Sequence, residues 1–133
     1  MNLPIFDNPK NVTVGKNSAI NRGFSVLGRG KVRIGDFVHI GPNVTILTAN
    51  HYMWEQGFDA YPTYTKDVVI EDNVWIGDHV IILPGIKIGK SAIVGAGSIV
   101  TKDMPREKIV AGNPAEIIKD RPKEKPKVIE EVT

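Results

Sequence analysis

The sequence predicts an all-β fold in which short strands stack as a three-sided parallel β-helix. The first observation is that nine residues at one six-residue spacing are all Ile or Val. These anchors are Ile34, Ile40, Ile46, Ile70, Ile76, Ile82, Ile88, Val94 and Val100. The second observation is that glycine directly follows five of the nine anchors, which suggests a tight corner at that place. The third is that mostly small or β-branched residues stand four places after the anchors.

A period of six sets the geometry of the repeat. A strand alone repeats every two residues and a helix about every 3.6, so neither sustains a six-residue register. A short strand followed by a corner does. Three such units close a triangle of about 18 residues, and successive coils stack ~4.8 Å apart through parallel hydrogen bonds. The anchors would then point into the prism. A β-sandwich with regular turns is the alternative, but its strand spacing is looser.

The ends of the repeat are less regular than its middle. Val14, Ile20 and Val26 also step by six, and the segment 28–31 then adds two residues, which we interpret as a corner insertion. Beyond the last anchor the register is lost. We expect the segment 115–119 to form a single helical turn or a short strand.

The whole chain of 133 residues is predicted to be one domain. Its coils are expected over about residues 12–105, a C-terminal cap over 106–120 and a solvated polar tail over 121–133. A core of this size is small, which favours further burial against neighbouring subunits.

Composition excludes several classes of protein. Apolar residues at 41% and charged residues at 24% are ordinary for a soluble globular protein. The net charge is only +2, and the sequence has no dense cluster of basic residues of the kind that binds nucleic acid. No cysteine is present, so disulfides and thiolate zinc sites are excluded. The first ten residues, MNLPIFDNPK, lack the pattern of a signal peptide, and no apolar stretch approaches the ~18 residues of a membrane span. We therefore expect a cytoplasmic protein.

One stretch interrupts the count of six. Between Ile46 and Ile70 the middle has no hexad pattern, so we expect a loop at about residues 50–66 to leave the prism. It holds five of the nine aromatic residues of the chain: Tyr52, Trp54, Phe58, Tyr61 and Tyr64. Long loops with apolar content of their own are often functional, although such aromatic residues also pack against neighbouring subunits. Both roles are compatible, because a solenoid extrudes loops without disturbing its stack.

Four motifs occur in order along the chain: IGPNVTILTANH, NVWIG, GAGSIVTKD and VAGNPAEIIK. In kind and spacing they resemble the hexapeptide-repeat acyltransferases over about residues 19–119. The sequence is most similar to the branch that contains galactoside, maltose and nodulation-factor O-acetyltransferases and the streptogramin-type xenobiotic acetyltransferases. The resemblance implies a left-handed parallel β-helix, a homotrimer, and acetyl-CoA bound as co-substrate in a groove between adjacent subunits.

A histidine stands where the aromatic loop opens. His51 takes the last place of the hexad that begins at Ile46, a place that faces outward from the prism. Acetyl transfer from a thioester to a hydroxyl needs removal of the hydroxyl proton, and histidine suits that role. With no cysteine and no evident Ser-His-Asp spacing, direct attack in a ternary complex is simpler than a covalent acyl-enzyme. The pattern alone also allows a surface role, whereas the resemblance at TANH implies that His51 is the catalytic base.

The resemblance also assigns a donor site. The residues implied to bind acetyl-CoA are Asp78, Gly95, Ala96, Gly97, Thr101, Lys102 and Lys119, with Arg121 as a further source of charge. The main-chain N–H at Asp78 would stabilise the oxyanion, and the small residues would let the pantetheine approach the backbone. Glu116 departs from the family pattern, because some relatives have Arg there.

Acceptor contacts are implied at four residues: Asn21, Tyr52, Trp54 and Trp75. Asn21 has an equally good alternative role as a turn residue, and Trp75 as a residue that packs against the loop of a neighbour. The predicted function is acetyl-CoA-dependent O-acetylation of a sugar or saccharide-precursor hydroxyl. The alternatives are a xenobiotic hydroxyl or a sugar amine as acceptor on the same fold, and a non-catalytic hexapeptide scaffold.

The other histidines raise the question of a metal. The gamma-type carbonic anhydrases, which share the hexapeptide helix, bind zinc with three histidines, two of them five residues apart. Here His39, His51 and His79 are separated by 12 and 28 residues, so their convergence on one tetrahedral metal is not expected. We predict no metal site, and surface or interface positions for His39 and His79.

Overall fold

The computed structural model describes residues 4–54 and 57–124, except for the side chains of residues 58–63. It confirms the predicted all-β fold, a solenoid of stacked parallel coils as in a left-handed β-helix. The described residues form seventeen strands and one short 3-10 turn, Pro9–Asn11. Three of the four sheets are the faces of the prism, and the fourth is a ribbon that leaves it.

Each coil visits the three faces in turn, and we name them A, B and C. Face A holds β1 (Ile5–Phe6), β4 (Ser25–Leu27), β7 (Thr45–Leu47), β12 (Ile81–Ile82) and β15 (Ile99–Val100). Face B holds β2 (Val12–Val14), β5 (Val32–Ile34), β10 (Val68–Ile70) and β13 (Lys87–Ile88). Face C holds β3 (Ala19–Ile20), β6 (His39–Ile40), β11 (Trp75–Ile76), β14 (Ile93–Val94), β16 (Lys108–Gly112) and β17 (Ala115–Asp120). The corners between faces form edges AB, BC and CA.

The core lies inside the prism and consists of the repeat residues. All nine anchors are buried, with at most 2% of any side chain exposed. The residues four places after them are buried too, including Met104 and the polar Ser98, except for Asn50, which is exposed. Stacked anchors bury apolar surface on every coil, which is the main stabilising term of such a fold. Of the earlier register residues, Val26 is buried, whereas the two in the first coil are not: Ile20 is half-buried and Val14 is 45% exposed.

The coils near the N terminus are longer than those that follow. Ser25 pairs with Thr45, twenty residues on, whereas Val69 pairs with Lys87, eighteen residues on. The two additional residues lie at edge AB in the segment 28–31, where an insertion was predicted. The stack itself begins at β1, which pairs in parallel with β4 before the expected start near residue 12.

Carboxylates cap the corners of edge BC. Asp36 Oδ1 accepts the main-chain N–H of Lys16 at 2.9 Å, and Asp72 Oδ1 accepts the N–H of Asp36 at 2.8 Å. Glu71 accepts the N–H of Lys90 in the same way, at 3.1 Å. A corner N–H has no partner in the strand ladder, so each carboxylate supplies an acceptor that the backbone lacks.

The C-terminal cap is a strand rather than a helical turn. β17 runs antiparallel to β16 and closes face C. Lys108 donates a hydrogen bond to Asp120 across the two strands, and that bond, with the charge of Lys108, lowers the pKa of Asp120. The predicted polar tail is described only as far as Glu124, so residues 125–133 lie outside the described part. Within that part, no helix is long and apolar enough to cross a membrane.

Candidate active site

The aromatic segment forms a two-stranded antiparallel ribbon in place of the expected loop. β8 (Ala49–Trp54) and β9 (Gly57–Thr65) leave the prism at edge AB of the third coil. The main-chain N–H of Lys66 donates to the carbonyl of Thr48 at 2.8 Å and closes the foot of the ribbon. The ribbon has a period of two, so the six-residue count could not detect it.

His51 lies near the foot of this ribbon. Its side chain is exposed, in agreement with the prediction that it faces away from the core. Its main-chain N–H donates to Asn50 Oδ1 at 2.9 Å. His51 pairs with Thr63, and the next pair is Tyr52 with Asp59, so the register shifts at this point. Such β-bulges re-aim side chains and are over-represented next to active sites.

The described aromatic side chains of the ribbon form an exposed surface beyond His51. Tyr52 and Tyr64 pack with ring centroids 5.0 Å apart and planes tilted by 50°. About half of the surface of Tyr52 and of Trp54 is exposed, at 51% and 52%. Exposed, partly stacked aromatic rings suit an apolar or sugar face, so the geometry allows the contacts expected of Tyr52 and Trp54.

A second cluster lies at edge CA. The N–H of Gly97 donates to the carbonyl of Asp78 at 2.8 Å, so the two predicted donor-site segments are adjacent in the stack. Gly97 has a φ of +74°, and a Cβ built on it meets no atom within 4 Å. Glycine adopts this conformation without strain, although Asn43 and His79 take a similar positive φ at the same corner of other coils. Among the described residues, the space beside Gly97 is open.

Edge CA differs from edge BC at the same corner position. Within residues 4–54 and 57–124, the N–H groups of Asp78 and Ala96 donate to no acceptor, and both residues are exposed. At edge BC, by contrast, carboxylates cap the N–H groups of Lys16, Asp36 and Lys90, whereas the N–H of Asp72 donates to no acceptor among the described residues. Edge CA therefore presents two main-chain donors in neighbouring coils, ~4.8 Å apart, to any ligand that lies along it.

A buried serine missed by the sequence analysis supports this turn. Ser98 is fully buried, and its hydroxyl donates to the carbonyl of Gly95 at 2.6 Å. The same oxygen accepts the N–H of Gly112 at 3.1 Å. The serine thus ties the glycine-rich turn to the end of β16. The hexad count gave one signal, since Ser98 is the one polar residue among the inward positions four places after an anchor.

Asn21 and Trp75 belong to the same side of the prism. Asn21 follows β3 at edge CA, and its amide nitrogen donates to the carbonyl of Ile40 at 2.8 Å, as in the turn role. Trp75 lies on face C beside His39 and is 54% exposed. Trp75, His39 and Arg121 line a shallow cavity of about 250 Å³. Arg121 holds the carbonyls of Asn73 and Ser91 there and is not directed at the glycine-rich turn.

The basic residues predicted for the donor phosphates lie elsewhere. Thr101 and Lys102 follow β15 at edge AB of the last coil. Lys102 Nζ lies 2.9 Å from Glu116 Oε2, and about 60% of each side chain is exposed. Lys119 is exposed on β17. The departure from the family pattern at Glu116 thus has a structural consequence. Its carboxylate forms an ion pair with the Lys102 ammonium group, which was predicted to bind a phosphate.

Most of the predicted site residues therefore divide between two edges of one copy, whereas Trp75 and Lys119 lie on face C. His51, Tyr52, Trp54, Thr101 and Lys102 belong to edge AB, and Asn21, Asp78, Gly95, Ala96 and Gly97 belong to edge CA or its turns. A side of six residues spans up to about 20 Å, whereas a general base works within hydrogen-bond reach. Within one copy, the exposed His51 and the edge CA cluster therefore lie on different edges of the prism, with face A between them.

Comparison with known proteins shows which family the chain is similar to. Residues 67–102 match the family described as bacterial transferase hexapeptide (six repeats). The chain is 38% identical to the galactoside O-acetyltransferase of Escherichia coli K12 over 86% of its own length and 57% of the relative. The chain is therefore similar to the hexapeptide-repeat transferase family, with the repeat itself matched over residues 67–102.

Two crystal structures are similar over most of this hexapeptide-repeat chain. A maltose O-acetyltransferase from Clostridium difficile is 42% identical with a TM-score of 0.83, covering 91% of this chain and 65% of that one. A hexapeptide-repeat acetyltransferase from Vibrio cholerae, solved with acetyl-CoA, is 36% identical with a TM-score of 0.84, covering 88% and 64%. The chain thus spans between about half and two thirds of the length of these relatives.

The three histidines of this chain lie apart from one another. His39 is on face C, His51 on the ribbon and His79 at edge CA, and all three are exposed. Among residues 4–54 and 57–124, no three His, Asp or Glu side chains are placed to hold a metal ion.

Proposed function

We propose that this protein transfers an acetyl group from acetyl-CoA to a hydroxyl of a sugar or saccharide precursor, with His51 as the general base. The observation that carries the proposal is the exposed His51 at the ribbon foot of a hexapeptide-repeat chain. Relatives named as galactoside and maltose O-acetyltransferases support the reaction and the acceptor class. The relative solved with acetyl-CoA supports the donor.

The proposed reaction is a direct attack within a ternary complex. His51 takes the proton of the acceptor hydroxyl while the hydroxyl oxygen forms a bond to the thioester carbon. The carbonyl oxygen becomes an oxyanion, and the unpartnered N–H of Asp78 is its proposed hydrogen-bond donor. The C–S bond then breaks, and the proton held by His51 passes to the departing CoA thiolate. The N–H of Ala96 is the proposed partner of a pantetheine carbonyl.

The proposed site forms between copies of the chain. Edge AB of one copy supplies the base and Lys102, and edge CA of a neighbour supplies the main-chain donors. The outward residues of face A, between these edges, are small or apolar: Ile5, Ser25, Thr45, Ile81 and Ile99. Face B presents Arg33 and Lys87 instead. A contact between two different edges is heterologous and closes as a ring, for which we propose a homotrimer.

Titration with acetyl-CoA, followed by a release assay for CoA, tests this function. We expect saturable binding of acetyl-CoA and turnover with galactosides, maltose or nucleotide sugars. Turnover only with an antibiotic hydroxyl or with an amino sugar would replace the acceptor class and keep the donor. Absence of saturable acetyl-CoA and CoA binding would contradict the proposal and favour a non-catalytic scaffold.

The Lys102–Glu116 pair predicts a change in donor affinity. Because Glu116 engages the ammonium group and repels phosphates, we expect Glu116→Gln to lower the KM for acetyl-CoA by about threefold, the size typical of an exposed ion pair. Steady-state kinetics with acetyl-CoA and with acetyl-dephospho-CoA measure the effect on donors of different phosphate charge. Glu107→Gln, from the exposed Arg106–Glu107 pair, is the control with the same charge change. An equal change in both variants would show that only net charge matters.

A further inference from the structure

A basic groove lies on face B, beside edge AB. It has a volume of about 290 Å³, and its polar lining consists of Lys10, Asn11, Thr13, Lys31, Arg33 and Asp67. These residues come from three successive coils, since β2, β5 and β10 are neighbours on face B. The groove is separate from the edge CA cluster, and the acetyl-transfer site proposed above does not use it.

The available charge of the groove is positive. Asp67 is the one carboxylate in the described lining, and the backbone engages it, because its Oδ1 accepts the main-chain N–H of Lys31 at 2.9 Å. Among residues 4–54 and 57–124, no carboxylate forms an ion pair with the side chains of Lys10, Lys31 or Arg33. Three cations face one acid that already has a hydrogen bond, so an anion entering the groove gains charge-assisted contacts without displacing an ion pair.

The groove adjoins the ribbon that carries His51. Asp67 follows the last strand of the ribbon by two residues, and the N–H of Gly30 donates to Thr48 Oγ1 at 3.0 Å next to the ribbon foot. His51 is the third residue of β8. At about 3.3 Å per residue, it stands on the order of 10 Å along the strand from that foot. A ligand a few sugar units long would span the groove and the neighbourhood of His51.

We propose that this groove binds the phosphate or carboxylate groups of an acidic saccharide, which makes acidic saccharides the preferred acceptors. The inference rests on the proposed function, in which a saccharide hydroxyl accepts the acetyl group. The positive groove adds the preference for a negatively charged saccharide. Arg33 supplies a planar guanidinium that pairs with a carboxylate or phosphate through two hydrogen bonds, and Lys10 and Lys31 add flexible ammonium groups. None of the aromatic side chains that the structure describes lines the groove, so this described lining lacks the stacking surface typical of single-stranded nucleic-acid sites.

Calorimetric titration with one charged probe and one uncharged probe tests the proposal. The probes are a linear galacturonic acid tetramer and a galactose tetramer of the same length. We expect the acidic tetramer to bind at least about tenfold tighter, and the difference to shrink as salt is raised. Lys31→Gln/Arg33→Gln should remove that preference. Lys16→Gln/Lys123→Gln, which removes two exposed charges outside the groove, should change the affinity by less than about twofold.

Three results would overturn the inference. They are equal binding of the two tetramers, equal loss in the groove and control variants, and equally tight binding of a single-stranded DNA oligonucleotide of the same charge. Thermal melting of both double variants checks that the fold is retained. His51→Ala separates this inference from the proposed function, because it should keep the preference for the acidic tetramer. Full acetyl transfer by His51→Ala would contradict the proposed base and leave the groove intact.

Discussion

His51→Ala should lower kcat for acetyl transfer by about 10²- to 10⁴-fold, the usual contribution of a positioned general base. Without the imidazole, the acceptor hydroxyl must lose its proton to water as it attacks the thioester. The KM for acetyl-CoA should change little, because the base acts on the acceptor and none of the proposed acetyl-CoA contacts (the N–H groups of Asp78 and Ala96, and Lys102) involves the imidazole. A CoA-release assay at saturating donor measures both quantities.

Two further measurements make this result specific to the imidazole. The exposed position of His51 predicts that the melting temperature of His51→Ala stays close to that of the unaltered protein. Added imidazole should restore part of the rate, since it replaces the missing base in the space that the side chain leaves. Unchanged turnover in His51→Ala would remove this residue from the mechanism.

The fold could be predicted because most coils carry the same buried Ile or Val residues at a spacing of six. Stacked anchors, such as Ile46 and Ile82, bury their side chains in one column inside the prism. Burial therefore requires an apolar residue at the same place in each coil, which preserves the six-residue spacing. The ribbon and the first coil break that spacing for local reasons. The ribbon pairs with itself at a period of two, and β1 joins the stack through a 20-residue coil. Neither arrangement produces a six-residue spacing of apolar residues, so the repeat could not predict them.

The candidate site was predictable in part. The aromatic segment and the resemblance pointed to His51, and the structure places it exposed at the foot of a ribbon. The contrast between the capped N–H of Lys16 and the unpartnered N–H groups of Asp78 and Ala96 depends on which side chain lies over which corner. Sequence spacing alone does not give that arrangement.

The basic groove shows a second limit of the sequence. Lys10 belongs to one coil and Lys31 and Arg33 to the next, and in a chain of net charge +2 such scattered lysine and arginine residues do not indicate a binding site. They become a cluster only because the coils stack with a register of twenty residues between β2 and β5. Charge that is scattered in the sequence is therefore gathered on one face of the prism.

Subunit mixing is the second prediction with a large effect. Ala96→Trp should block the donor groove, because Ala96 is exposed at edge CA next to the open turn at Gly97. We expect this variant and His51→Ala each to lose at least about 99% of the activity as pure assemblies. The two defects lie on different edges, so each variant keeps one edge intact. Native mass spectrometry of the purified proteins should report trimers.

The central claim is that two copies of the chain share each active site, and the activity of mixed trimers tests it most directly. His51→Ala and Ala96→Trp subunits are unfolded together in equal amounts, refolded, and checked for mixed trimers by native mass spectrometry. With random assembly, about one interface in four joins an intact edge AB to an intact edge CA, so about a quarter of the unaltered activity should return. Mixed trimers that stay as inactive as their parents, or a protein that is monomeric at micromolar concentration, would contradict the claim.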